Sequence, residues 1–244
     1  MHNVTHLPIN RGIFGYHCLA EAIRQHPGQE GYFYINDDVV LNYWNMASGR
    51  FHKDSIWRSN NQFGRIDVRQ GATQPWYWWV SPYGLNNTKN ALREIQKLAA
   101  QFKMYRDMFD QYRNNGNGSF FAYSGRSDIL YIPRKYSIGF QELSQIFYRN
   151  SVFLEIAIPT ILRFLTNEVE IFQLSGHYIP GDVRKNDPRV VDARYFWSTY
   201  FANERTWFIH PFKLHHETDK NRELNLALME RILIRKAIDF GETC

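Results

Sequence analysis

The feature that most constrains this chain is an aromatic, β-type run at residues 31–46, which carries two adjacent acids where its apolar residues stop. Residues 32–35 form a short continuous apolar stretch, which predicts a strand covered on both faces in an α/β sheet. Asp37 and Asp38 follow at the carboxyl end of that strand, the edge at which such sheets bind ligands. Two interpretations are open: a strand-to-loop turn, which Asn and Asp favour, or a divalent cation that compensates the carboxylates and carries a phosphate.

Several segments of the chain resemble one enzyme family. A strand that ends in Asn36, Asp37 and Asp38 and continues as VLNYWNM resembles the metal and sugar-nucleotide motif of GT-A glycosyltransferases, and VLNYWNM is similar to exostosin-like members. SDILYIPRKY at residues 127–136 and VFLEIAIPTIL at residues 152–162 resemble the acceptor half of these enzymes. The resemblance implies an α/β fold with a GT-A-like mixed sheet and flanking helices, and a nucleotide-sugar donor with a carbohydrate acceptor.

The resemblance also implies the residues of a metal site. FIHPFKL, at residues 208–214, stands where these enzymes often place a metal-ligating histidine, so that Asp38 and His210 would hold Mn²⁺ or Mg²⁺. Asp37 would orient the metal site or the donor sugar. The sequence departs from a strict DxD motif because Asn36 replaces its first acid, which leaves open the residue that meets the nucleotide ribose. A histidine at a strand end can equally be structural.

Two cations and one acid complete the predicted site. Arg134 and Lys135 follow Pro133 at the end of a predicted strand, where they can neutralise a diphosphate leaving group or simply face solvent. Glu155 lies in the apolar sequence VFLEIAIP, and burial would raise its pKa towards the range of a general base. The alternatives for Glu155 are an acceptor-positioning role, an ion pair with Arg163 or another cation, or a helix N-terminal acid.

Composition bounds the class of protein and its partners. The 244 residues suffice for one sizeable domain, and we place a metal-strand part at about residues 1–80 and an acceptor-side part at about 81–244. The net charge of +5 is scattered among acids, so no nucleic-acid surface is expected. No run of about 18 apolar residues is present, so no membrane segment is expected within the chain.

Only thirty residues precede the predicted metal strand, fewer than a GT-A nucleotide-binding half usually needs. We therefore expect a fragment, a partial gene model, or a domain that receives its base-binding part from elsewhere. If an N-terminal membrane anchor is missing from this sequence, we expect the domain in the lumen of the Golgi or endoplasmic reticulum. If the protein has no such anchor, we expect it in the cytoplasm.

Periodicity predicts the other elements of the chain. Apolar residues at spacings of three and four predict one long helix at residues 88–113, with Lys89, Arg93 and Lys97 on its solvated face. The sequence PWYWWV at residues 75–80 reads as a strand whose aromatic faces either stack on sugars or fill a core. The remaining predictions are helices at 15–25, 140–147 and 219–239, strands at 65–68, 119–124 and 128–132, and a loop at 176–194.

These observations predict a metal-dependent glycosyltransferase. Two other classes use part of the same residues: a metal-dependent phosphodiesterase or other hydrolase would use the acids to activate water, and a non-catalytic carbohydrate-binding module would need only the aromatic side chains.

Overall fold

The structure of the protein is a computed structural model. It describes residues 7–48, 52–59, 62–71, 76–178, 203, 205–212, 222–223, 226–227 and 229–231. Two compact units are present: the first is drawn from residues 1–34 and 53–173, and the second from residues 35–52 and 174–244. No unit boundary falls near residue 80, and the single-domain organisation stays a prediction.

The described residues confirm a mixed α/β fold, in which mixed sheets are flanked by helices. The helices are α1 (Gly15–Gln25), α2 (Tyr43–Ser48), α3 (Tyr77–Val80), α4 (Leu85–Gln101), α5 (Lys103–Asn115), α6 (Arg134–Arg149) and α7 (Leu154–Leu165), followed by a short 3₁₀ helix, Glu168–Glu170. The strands are β1 (Gly31–Ile35), β2 (Val40–Leu41), β3 (Trp57–Ser59), β4 (Gln62–Asp67), β5 (Phe121–Gly125), β6 (Ile129–Pro133), β7 (Phe172–Leu174), β8 (Gly176–Tyr178) and β9 (Phe208–His210).

The first unit contains a four-stranded sheet in the order β1-β6-β3-β7 and the antiparallel pair β4-β5. β3 runs antiparallel to β6, with Trp57 opposite Tyr131. Helix α7 packs on β5, where the Thr160 hydroxyl accepts a hydrogen bond from the Tyr123 N–H at 3.0 Å. α7 is buried on all sides because it is apolar along its length, whereas the other long helices bury only one stripe.

The second unit contains a three-stranded mixed sheet in the order β2-β9-β8. Antiparallel pairing places Val40 opposite Ile209, and parallel pairing places Tyr178 opposite His210. Gly176 lies against the Phe208 ring so closely that a Cβ there would come within 2.0 Å of a ring carbon. The glycine therefore permits the close approach of β8 to β9.

Several sequence predictions are confirmed. The helix at residues 15–25 has the predicted bounds. Strands are present at the three predicted places, as β4, β5 and β6. Residues 222–223, 226–227 and 229–231 of the predicted C-terminal helix are helical, and its other residues lie outside the described part.

Three predictions about local structure are wrong, and one helix is longer than predicted. β1 is not covered on both faces, because it is an edge strand in which Phe33 and Ile35 are more than a third exposed. Residues 77–80 form a helical turn instead of a strand. The predicted helix at 88–113 is two helices, broken where Phe102 adopts extended dihedral angles (φ −120°, ψ 130°). The helix predicted at residues 140–147 is confirmed, and it extends from Arg134 to Arg149.

The predicted loop at 176–194 begins instead with strand β8, and residues 179–194 lie outside the described part.

Candidate functional site

The acidic cluster forms a turn directly after β1. The Asn36 carbonyl accepts a hydrogen bond from the Val39 N–H at 3.1 Å, so residues 36–39 close a β-turn after β1. The turn interpretation of the sequence is thus confirmed for the backbone. Within this turn Asp37 is exposed, whereas Asn36 is half-buried and the Asp38 side chain is only 14% exposed.

Sheet register brings Asp38 to His210. Asp38 lies two residues before the start of β2 and His210 ends β9, and the antiparallel pairing of these strands sets the start of one beside the end of the other. The Phe212 N–H donates to the Asp38 carbonyl at 2.7 Å, which extends the pairing past the strand ends. As a result, Asp38 Oδ1 lies 3.2 Å from His210 Nε2.

The surroundings of this pair hold it in place. His210 is 7% exposed, and the Tyr178 ring meets its imidazole edge-on at a centroid distance of 5.5 Å. The side-chain amides of Asn42 and Asn45 donate to the Thr206 carbonyl at 2.7 and 2.8 Å, just ahead of β9. These contacts fix the entry of β9 relative to β2.

The donor set of this pair suits a divalent metal. Metal–ligand bonds to carboxylate oxygen and imidazole nitrogen measure about 2.1 Å, so two neighbouring ligands of one ion lie about 3 Å apart. The observed separation of 3.2 Å is that of a direct contact between imidazole and carboxylate, and it is also close to the spacing of two ligands of one ion. Among the described residues, no group of three or more His, Cys, Asp or Glu side chains that could hold a metal is found, so Asp38 and His210 stand as a pair.

Glu155 belongs to a second group, in the first unit. It lies in the first turn of α7 and is 8% exposed, close to the turn that joins β5 to β6. Arg126 in that turn donates from Nη1 to Glu155 Oε1 at 3.2 Å. The partner cation is therefore Arg126 and not Arg163, which pairs with Glu168.

Burial dominates the electrostatics of Glu155. Loss of solvent raises the pKa of this carboxyl to about 7, a rise that Asp128 reinforces and that the Arg126 charge and hydrogen bond oppose. Its own backbone carbonyl also lacks the usual helical donor, because the residue four positions later is Pro159. A carboxyl with a pKa near 7 can accept a proton at neutral pH.

Arg134 and Lys135 occupy the first turn of α6 in the first unit. Arg134 is exposed, and its Nε donates to the Gln29 carbonyl at 2.9 Å. Lys135 is exposed, with its Nζ 4.7 Å above the Tyr136 ring. Two cations at a helix N-terminus oppose the helix dipole, a local cost that a bound anion would offset. Their convergence with Glu155, Asp38 and His210 on one cleft stays a prediction.

The tryptophan cluster after residue 75 is mainly part of the core. Trp79 is 2% exposed and packs edge-on against Trp76, and Trp78 stacks on Phe153 with a centroid distance of 3.8 Å. Among the four aromatic residues of this segment, only Tyr77 is mostly exposed. The core interpretation of these aromatics is therefore confirmed for the tryptophans, which weakens the case for a sugar-binding module.

Sequence reasoning missed three neighbours of the candidate residues: Arg126 and Asp128 beside Glu155, and Tyr178 beside His210. Charged residues in a short turn between two buried strands were the available signal for Arg126 and Asp128. No sequence signal placed Tyr178, because its position depends on the parallel pairing of β8 with β9.

The fold and the site together define a mixed α/β protein in which the half-buried Asp38 contacts the buried His210 at the end of strand β9. Over 206 residues the chain is 19% identical to a protein of Arabidopsis thaliana named "Probable glycosyltransferase STELLO2", a match that covers 84% of this chain and 24% of that protein. The chain thus spans about a quarter of the length of the curated relative it matches. No family model and no solved structure matches the chain.

None of the helices in the described part of the chain is long and apolar enough to span a membrane.

Proposed function

We propose that this chain is a metal-dependent glycosyltransferase domain that moves a sugar from a nucleotide-sugar donor to a carbohydrate or other hydroxyl acceptor. Similarity to a probable glycosyltransferase over 84% of the chain supports the reaction class. The observation that carries the site assignment is the 3.2 Å separation of Asp38 Oδ1 and His210 Nε2. These are the two residues that the resemblance to GT-A enzymes had assigned to a metal.

Asp38 and His210 would hold Mn²⁺ or Mg²⁺ with a carboxylate oxygen and an imidazole nitrogen. A bound divalent ion would offset the negative charge of the donor diphosphate and act as a Lewis acid for its departure. Asn36 and Asp37, in the adjacent turn, would contact the donor ribose and sugar. Arg134 and Lys135 would contribute positive charge towards the departing diphosphate.

Glu155 would act on the acceptor. In an inverting transfer its carboxylate takes the proton of the acceptor hydroxyl as the hydroxyl oxygen bonds to the anomeric carbon and the bond from that carbon to the diphosphate breaks. In a retaining transfer the same carboxylate positions the acceptor. The raised pKa, about 7, suits the first role because the group can both take up and release a proton near neutral pH.

The test is a product analysis with a panel of UDP- and GDP-sugars, Mn²⁺ and simple glycoside acceptors. We expect release of the nucleoside diphosphate together with a glycosylated acceptor, abolished by EDTA and restored by Mn²⁺. Asp38→Asn should lose this activity, whereas Asp110→Asn, which changes an exposed acid on α5, should keep it.

The products also separate the rival classes. A phosphodiesterase acting on the same donors would release a nucleoside monophosphate and a sugar 1-phosphate, and that result would contradict the proposal. A binding module would retain donor and acceptor without any turnover in either variant.

A further inference from the structure

A concave pocket in the first unit combines positive charge with an apolar wall. Its volume is about 380 Å³, within the size range of small-molecule sites. The walls come from the turn after β4, one face of α4, and the residue before β5. The lining residues are Val68, Arg69, Lys89, Leu92, Arg93, Gln96 and Phe120.

Within the described part of the chain, two of the three positive charges of this pocket have no acidic partner. Arg69 is paired with Asp67, which accepts from Arg69 Nε at 3.0 Å and from Nη2 at 2.6 Å. Lys89 and Arg93 form no ion pair with any residue in the part of the chain that the structure describes. Two positive charges therefore remain, on side chains one helical turn apart, an arrangement that destabilises an isolated helix.

The geometry of the pocket is fixed by the core beneath it. The half-buried Phe120 ring packs on Phe109 and Tyr112, at centroid distances of 5.8 and 6.2 Å. The Val68 N–H donates to the Phe120 carbonyl at 2.9 Å. The bidentate pair with Asp67 orients the Arg69 guanidinium. The Phe120 ring thus forms a flat apolar wall of the pocket, next to the side chains of Arg69, Lys89 and Arg93.

We propose that this pocket binds a phosphomonoester carried on a small ring compound, such as a sugar phosphate or a nucleoside monophosphate. A phosphomonoester bears close to two negative charges at neutral pH, which matches the two uncompensated cations, whereas a carboxylate or sulfate ester bears one. Arg93 and Lys89 bind the phosphate oxygens, and the ring lies against Phe120 and Leu92. Gln96 supplies an amide for a ring hydroxyl or carbonyl. This site is independent of the proposed glycosyl transfer.

The test measures binding of phenyl phosphate to the full chain at low ionic strength by calorimetry. Phenyl sulfate, a monoanion of the same shape, should bind about tenfold more weakly at pH 7.5. Binding of phenyl phosphate should also weaken at pH 5, because the second phosphate pKa is about 6. Glucose 6-phosphate and uridine monophosphate then distinguish the two sources of the phosphate.

Three variants assign the site. Lys89→Ala and Arg93→Ala should each weaken phenyl phosphate binding about tenfold or more, the loss expected for one charge-assisted hydrogen bond. Lys97→Ala removes the same charge from an exposed position of α4 outside the pocket and should change binding less than about twofold. Removing one of two like charges also relieves repulsion, so both pocket variants should keep the wild-type melting temperature.

Two results would overturn the proposal. One is that the wild-type protein fails to bind phenyl phosphate at millimolar concentration, or that Lys89→Ala and Lys97→Ala bind it with the same affinity. The other is binding of a single-stranded oligonucleotide, lost in the pocket variants, without binding of any ring phosphate, which would assign these cations to a polyanion.

Discussion

Arg126 and Glu155 form an ion pair of unequal partners: Arg126 Nη1 lies 3.2 Å from Glu155 Oε1, yet the carboxylate side chain is 11% exposed and the guanidinium side chain 38%. The Arg126 guanidinium is therefore partly hydrated by solvent, whereas the Glu155 carboxylate is almost fully removed from it. The pair therefore leaves the pKa of Glu155 raised, at about 7. Glu155 is held in a state from which it can exchange a proton.

Glu155 should make the stability of the fold pH-dependent. Its pKa is about 7 in the folded chain against an ordinary value of 4.5, so between these values the folded state keeps a proton that the unfolded state has lost. The contribution of this proton to the free energy of unfolding is fully present below about pH 4.5 and is lost as the pH rises to 7. Above pH 7 the fold is about 3 kcal/mol less stable than it is below pH 4.5 on account of this group. Glu155→Gln should abolish this slope, measured by urea unfolding at pH 5 and pH 8.

The control for that comparison is Asp110→Asn, at an exposed position, which should follow the wild-type pH dependence. The Glu155→Gln variant should be at least as stable as the wild type at pH 8. If Glu155→Gln lowers stability at pH 8 by about 3 to 5 kcal/mol, the carboxylate balances a buried cation and its assignment as a base loses its support.

Catalysis gives a separate prediction for the same residue. Glu155→Gln keeps the shape and hydrogen-bonding capacity of the side chain but cannot accept a proton, so sugar transfer should fall by about 10² to 10⁴ while donor affinity stays the same. Rates and donor affinities of wild type and variant provide the measurement. Normal transfer by the variant would end the catalytic assignment.

Glu168 should contribute strongly to stability. Its carboxylate bridges Arg58 and Arg163, whose side chains are each 6% exposed and whose pKa values burial lowers to about 10. Glu168→Gln removes the negative charge that these two buried cations share, and we expect a loss of about 2 to 3 kcal/mol, less than for a fully buried pair because Glu168 is 38% exposed.

Chemical denaturation measures that loss, with Glu94→Gln as the matched control. Glu94 pairs with Arg149, whose side chain is 54% exposed, so this control should cost less than about 1 kcal/mol. Equal losses in the two variants would contradict the assignment of the buried cluster.

Much of the fold could be predicted because local sequence determines it. Helix α1 follows from its apolar spacing and from the Pro27-Gly28 stop, and β5 and β6 follow from short apolar runs that a Gly and a Pro bound. The break at Phe102 could not be predicted, since the apolar spacing of α4 and α5 continues through it. The exposure of β1 depends on which strand lies at the sheet edge, a property of long-range pairing.

The candidate site divides in the same way. Strand-end positions indicated Asp38 and His210 individually, and the resemblance to GT-A enzymes joined them, but their contact depends on the β2-β9 register across 170 residues of chain. The burial of Glu155 followed from its apolar neighbours. Its partner Arg126 did not, because the packing of α7 against the β5–β6 turn selects it over Arg163.

Asn42 should position β9 next to Asp38. It is fully buried, and its amide donates to the Thr206 carbonyl at 2.7 Å. Asn42→Ala leaves that carbonyl with one donor fewer and should cost about 1 to 3 kcal/mol in the free energy of unfolding. The exposed Asn90→Ala should be near neutral in the same denaturation experiment, and comparable effects in both variants would show that the tether is unimportant.

The measurement that tests the central claim most directly is Mn²⁺ binding followed by electron paramagnetic resonance in the presence of uridine or guanosine diphosphate. Wild-type protein should bind one Mn²⁺ per chain, and Asp38→Asn and His210→Gln should each weaken binding by at least about tenfold. The exposed-site controls Asp110→Asn and His26→Gln should bind as wild type does. Undiminished Mn²⁺ binding in both site variants would contradict the assignment of Asp38 and His210 as metal ligands.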